Sequence, residues 1–218
     1  MKKFCIILFC LLVSAILADA HTINYQLDPV SDKDIFNTYL LEGFKHIIPL
    51  GLDHILFILC IFFLNKNLKT ILMQATMFTI AHSVTLAMAV YGYINPPSNI
   101  IEPIIALSIV FLALENIFSN KIKPWRFVMI FLFGLVHGMG FAGALSELGL
   151  PQYAMANALV SFNIGVEIGQ LTIIILMYVL VYKLSKQTLI YRKWVVVPAN
   201  VIIGIIASYW TIERMLQF

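Results

Sequence analysis

The chain has 218 residues, of which 61% are hydrophobic and 11% charged, with a mean hydropathy of +0.93. This is far more apolar than a soluble domain of ordinary make-up, and it excludes water as the main solvent. The net charge of +3 follows a membrane-topology pattern instead of forming a basic patch, so nucleic-acid binding has no support.

The chain begins with Lys2 and Lys3, followed by an apolar run from Phe4 to Leu17. Ala18-Asp19-Ala20 then puts small residues at the two positions a signal peptidase reads. This predicts a signal peptide over 1–20 and a mature chain starting at His21, with an uncleaved first helix as the alternative. Cys5 and Cys10 would leave with the signal, and the one remaining thiol, Cys60, has no partner for an intrachain disulfide. A polar segment, 21–43, comes next and is expected on the periplasmic side. At its start the free α-amine and imidazole of His21 could chelate a divalent metal, with Asp28, Asp32 and Asp34 nearby; a disordered tail is the plainer alternative. Ser31 and Asp34 resemble a capping box that opens an amphipathic helix running into the membrane.

Apolar segments of about twenty residues then recur at 44–64, 69–92, 99–119, 126–147, 154–182 and 194–215. The expected fold is all-α: a polytopic membrane bundle of six transmembrane helices over 44–218, after the signal peptide. Pro49 and Gly51 predict a kink or local unwinding inside the first segment. The first, third and fifth connections carry Lys66 and Lys69, then Lys121, Lys123 and Arg126, then Lys183, Lys186, Arg192 and Lys193. The second and fourth, 91–98 and 148–152, carry no basic residue. The positive-inside rule places the basic connections in the cytoplasm, and a signal peptide independently places His21 outside. Both arguments predict a bacterial inner (cytoplasmic) membrane protein with periplasmic N- and C-termini.

Against this background stand His46, Asp53, His54, His82, Glu102, Glu115, His137, Asn163, Glu167 and Gln170. A charged side chain at the centre of a span costs roughly 2.5–3.5 kcal/mol on insertion scales, so such groups need partners, protonation, water or metal. His54, His82, His137 and Glu167 each fall near the middle of a predicted span, which predicts one shared level in the bundle. Asn163, Glu167 and Gln170 are spaced to lie on one helical face, as are His46 and Asp53. Imidazole with carboxylate suits Ni²⁺, Co²⁺, Zn²⁺ or Cu²⁺ better than Ca²⁺ or Mg²⁺. Asp53, Asn163 and Gln170 could orient the ligands from behind. The competing reading is a buried ion-pair or hydrogen-bond cluster that fixes helix register. Glu102 could serve only to complement a helix N-terminus, and Glu115, beside Asn116, could mark an exit or pair with a loop lysine. Gly134, Gly138, Gly165 and Gly169 form small-xxx-small repeats that predict close helix packing.

The stretches Gly43-Phe-Lys-His46, Gly51-Leu-Asp53-His54, Phe78-Thr-Ile-Ala-His82-Ser83, Glu102-Pro-Ile-Ile-Ala-Leu-Ser108 and Glu115-Asn116 occur in that order. They are followed by Phe133-Gly-Leu-Val-His137-Gly-Met-Gly140-Phe-Ala and Phe162-Asn163-Ile-Gly-Val-Glu167-Ile-Gly-Gln170. Together they resemble the HupE/UreJ family of small bacterial membrane proteins over nearly all of the mature chain. The resemblance implies a nickel or cobalt permease that serves nickel-enzyme systems, with maturation proteins as partners. The resulting expectation is a secondary transporter, not an enzyme, with the metal ion as substrate. His54, His82, His137 and Glu167 would bind it, with Asp53, His46 and His21 contributing, and the ion would leave past Glu115 and Asn116. An intramembrane zinc hydrolase, with Ser83 beside His82, and a metal-handling accessory protein are the rivals.

Overall fold

The computed structural model describes residues 31–64, 67–147, 150–185 and 188–217. The predicted signal peptide and His21 lie outside them. Among the described residues all regular structure is helical. Helices α1 (Asp32–Ile47), α2 (Leu52–Leu64), α3 (Leu68–Val90), α4 (Ser98–Phe118) and α5 (Trp125–Glu147) are followed by a short 3₁₀ turn and α6 (Met155–Ser185). The four-residue α7 (Thr188–Tyr191) then passes through a π-helical segment, Arg192–Val196, into α8 (Val197–Leu216).

Helix starts follow local chemistry. Ser31 caps α1: its hydroxyl accepts from the Asp34 backbone N–H at 3.3 Å and donates to the Asp34 carboxylate at 2.6 Å. Asn67 caps α3 by accepting from the Lys69 N–H at 3.0 Å. Between α1 and α2 the chain breaks at residues 48–51, and the two helices meet at 67°. Pro49 has no N–H to continue α1. Gly51 is needed because a Cβ there would collide with the His46 carbonyl. The predicted kink near Pro49 is therefore a full interruption, and α2 is only 13 residues long, about 20 Å at 1.5 Å per residue.

Helices α3, α4, α6 through Val181, and Leu189–Leu216 are long and apolar enough to cross a membrane, and α1 with α2 makes a fifth candidate if the bent pair is one span. The apolar part of α5 over Trp125–Phe141 is shorter. The protein is thus an integral membrane protein whose described residues are all-helical and include four to five helices of spanning length, where six segments were expected from hydropathy.

Three tight helix pairs, α1 with α6, α3 with α5 and α4 with α8, surround α2. Leu56 through Phe63 of α2 are all buried, as befits the central element. Glycines make two of the seams possible. An added Cβ on Gly43 would strike the Phe162 carbonyl, and one on Gly165 the Leu40 carbonyl, closing α1 on α6. On Gly134 it would lie 2.6 Å from the Phe78 carbonyl and 2.9 Å from Ala81 Cβ, and on Gly138 it would strike the His82 carbonyl, closing α3 on α5. The predicted small-residue packing is observed at Gly134, Gly138 and Gly165, and also at Gly169, where an added Cβ would lie 2.8 Å from Ile47 Cβ. His46, His82 and His137 are carried by helices of these two seams.

Candidate metal centre

The break between α1 and α2 opens onto the seam of α3 with α5, and four histidines converge there. His46 ends α1, His54 begins α2, and His82 and His137 lie inside α3 and α5. All four are buried. One nitrogen from each of His46, His54 and His82 lies within 4.8 Å of the others. The His137 ring is 5.0 Å from that of His54. Its Nε2 is 3.2 Å from Ser108 Oγ on α4, which leaves Nδ1 free.

Burial and bonding are at odds in this cluster. His46 Nε2, His54 Nε2, both nitrogens of His82 and His137 Nδ1 are buried without a hydrogen-bond partner. Most buried polar atoms are paired, and leaving one unpaired costs roughly 1–3 kcal/mol. Five such nitrogens in one place are a poor structural fastener and a good nitrogen donor set. The surroundings are aromatic: Phe141 lies 3.7 Å from the His46 ring, Phe78 4.9 Å and Phe57 5.2 Å from that of His137. These rings leave lone pairs on the imidazoles as the main polar features facing the centre. Imidazole donors of this kind fit Ni²⁺, Co²⁺, Zn²⁺ or Cu²⁺.

Asp53 fixes His54. Its Oδ1 is 3.1 Å from His54 Nδ1 and accepts the His54 backbone N–H at 2.9 Å, while Oδ2 faces Arg214 of α8 at 3.9 Å. A carboxylate behind a histidine sets the tautomer and ring orientation of a metal ligand. With Nδ1 turned to Asp53, Nε2 points to the cluster.

The remaining predicted residues lie elsewhere. Thr76 donates to Glu167 Oε1 at 2.8 Å, Thr79 donates to Gln170 at 3.2 Å and Ser83 donates to Asn163 at 2.6 Å. These three pairs form a polar ladder between α3 and α6 beside the histidines; Glu167 Oε1 belongs to that ladder, while Glu167 Oε2 and Gln170 Nε2 are buried without a partner. Ser83 also donates to the Thr79 carbonyl at 2.7 Å. Glu102 is in the first turns of α4, where its backbone carbonyl accepts from Arg214 at 3.1 Å. Glu115 and Asn116 lie near the far end of α4 against Arg126, which is fully buried. The sequence places Arg126 in a cytoplasmic connection and leaves Glu115 either marking an exit or pairing with a loop lysine; the structure pairs Glu115 with the arginine at the start of α5.

Ser108, Arg126, Gln74, Asn200 and Arg214 are contributors that pattern reading passed over. One signal was present for Arg126: a charged residue opening an apolar segment directly after one that ends in Glu115-Asn116.

The family described as HupE / UreJ protein matches residues 21–214, nearly the whole chain. No curated protein and no solved structure matches it.

Proposed function

Because the chain belongs to the HupE/UreJ family, which marks it as a nickel- or cobalt-related membrane protein, we propose that it is a secondary transporter for a divalent transition metal, with nickel or cobalt as the favoured cargo. The observation that carries this reading is the set of five buried, unpartnered imidazole nitrogens on four helices. His46, His54, His82 and His137 bind the ion, and Asp53 orients His54.

The interrupted α1–α2 segment supports a role in passage. Broken helices commonly form ion sites in transporters because a half-helix C-terminus presents carbonyl oxygens and the negative end of its dipole. His46 sits in the last turn of α1. In this reading α1 and α2 together form one crossing, and α5, whose 23 residues extend about 34 Å, forms another, giving six. The ion enters from the periplasm, past the polar segment that holds His21, and leaves toward the cytoplasm past Glu115. Inward movement of a divalent ion gains about 4.6 kcal/mol per 100 mV of membrane potential. The sequence has no glycine-rich phosphate cradle to supply ATP energy in its place. Protons compete with metal for imidazole, which also offers a route to coupling.

The test is uptake by vesicles containing the purified full chain, with Ni²⁺ and Co²⁺ measured by elemental analysis. Wild-type vesicles accumulate metal under an inside-negative potential, and His82→Ala vesicles do not. Protein that binds metal in detergent while its vesicles accumulate none, under either a potential or a pH gradient, would overturn the transport reading in favour of an accessory that only holds metal.

A further inference from the structure

A second polar cluster lies at the end of α4 and the start of α5, away from the histidines. Along the helices it is six residues beyond His54, eight before His82 and eleven before His137, roughly 9 to 17 Å at 1.5 Å per residue. Its centre is the guanidinium of Arg126, fully buried. Arg126 Nε donates to Gln74 Oε1 at 2.9 Å, one terminal nitrogen donates to Glu115 Oε2 and to Asn116 Oδ1 at 3.2 Å, and the other donates to the Cys60 carbonyl at 3.1 Å. Four oxygens from α2, α3 and α4 thus surround one cationic head.

Three of these oxygens, those of Gln74, Asn116 and Cys60, are held in place without Arg126. The Gln74 amide nitrogen donates to the Thr70 carbonyl at 3.0 Å, and the Asn116 amide nitrogen donates to the Cys60 carbonyl at 2.7 Å and to Asn200 Oδ1 at 2.8 Å. Both amides therefore have their nitrogen ends tied and their oxygens turned to the centre. The second Glu115 oxygen, Oε1, is buried with no hydrogen-bond partner, and the whole side chain is only 6% exposed. A fastener built only to pair with arginine would normally engage both carboxylate oxygens, since guanidinium matches a carboxylate in bidentate fashion. Here one oxygen is spare in a preformed oxygen cage.

We propose that this cage is a second cation site, for a divalent metal ion, and that Arg126 is a tethered cation that fills it until the ion arrives. The inference rests on the transport reading for its purpose, an oxygen-lined release site beyond a nitrogen-lined capture site, but not for its chemistry. Oxygen donors hold nickel or cobalt less firmly than imidazole, and passage requires a site weak enough to leave. Displaced from the cage, the Arg126 head moves aside as metal takes the Glu115 carboxylate.

The test is Mn²⁺ binding to the full chain in detergent, because Mn²⁺ favours oxygen ligands and its paramagnetic resonance reports binding directly. Arg126→Ala gains one Mn²⁺ per chain over wild type, and the Arg126→Ala/Glu115→Gln double variant loses the gain. Arg126→Met, which keeps the volume and removes the charge, repeats the measurement should the alanine variant fold poorly. No added ion in a folded Arg126 variant, or an added ion that survives Glu115→Gln, would overturn the proposal. So would failure of both variants to fold, which would make the cluster a fastener and nothing more. His54→Ala added to Arg126→Ala separates the two readings: the extra Mn²⁺ stays if the cage is a site of its own, even where the histidine cluster proves not to carry metal.

Discussion

Replacing Gly134 by alanine tests how strictly the α3–α5 seam sets the metal centre. The added Cβ would stand 2.6 Å from the Phe78 carbonyl oxygen, 2.9 Å from Ala81 Cβ and 3.1 Å from Phe78 Cα. Two of these obstacles are backbone and cannot rotate away. Ordinary contact needs 3.4 Å or more, so the helices must part by about 0.5–1 Å, and overpacking of this kind costs roughly 1–3 kcal/mol. Gly134 lies one turn before His137, and Phe78 one turn before His82, so the displacement falls on two of the four imidazoles. Binding sites need their ligands held to within about 0.5 Å. The expected result is metal affinity 10- to 100-fold weaker, by competition with a chromophoric chelator, together with a lower Tm in detergent. Gly204→Ala is the matched control. Its Cβ would meet Ala113 Cβ at 3.7 Å, an ordinary contact, and glycine is worth up to about 1 kcal/mol less than alanine inside a helix, so Tm is unchanged or higher and metal affinity is retained. Wild-type affinity in Gly134→Ala, or equal damage from Gly204→Ala, would refute the seam argument.

Two substitutions sort the carboxylates. Asp53→Asn keeps shape but removes the charge behind His54, and affinity measured by the same competition should fall 10- to 100-fold, the usual cost of losing the group that orients a metal-binding histidine. Glu167→Gln should leave metal affinity in detergent within about threefold of wild type, since Glu167 bonds to Thr76 in the α3–α6 ladder and a glutamine oxygen can still accept that bond; a loss like that of His82→Ala would bring Glu167 into the ligand set. The pH dependence of cluster binding provides a third check: protons and metal compete for the same lone pairs, so binding should weaken as acid protonates the imidazoles, and an affinity flat down to the pH at which the protein unfolds would argue against imidazole ligation.

Helix positions were legible because a buried membrane helix has to be apolar over its length. The segments at 69–92, 99–119 and 126–147 match α3, α4 and α5 to within two residues at each end. The first segment misleads for the same reason: hydropathy does not register direction, and 44–64 reads as one run although the backbone turns by 67° within it. Counting depth along that run therefore treats His54 as an interior residue of one long helix, whereas it sits in the first turn of a short helix and meets His46 across the break. The role of Glu115 was half legible. A carboxylate near a span end signals a need for a partner, but the choice of Arg126 over Lys121 or Lys123 depends on where the start of α5 docks against α2 and α3. Gln74 and Asn200 are neutral amides in apolar helices whose nitrogens bond back to the Thr70 and Val196 carbonyls, and only the tertiary contacts of their oxygens, with Arg126 and Asn116, set them apart.

The confinement of histidine has a practical consequence. The chain has five histidines, and the four within the described residues all belong to one cluster. Isotope labelling of histidine alone would therefore give a magnetic resonance spectrum of the metal centre with His21 as its only other contributor. The native protein supplies a site-selective reporter of occupancy and protonation with no engineered label in the bundle.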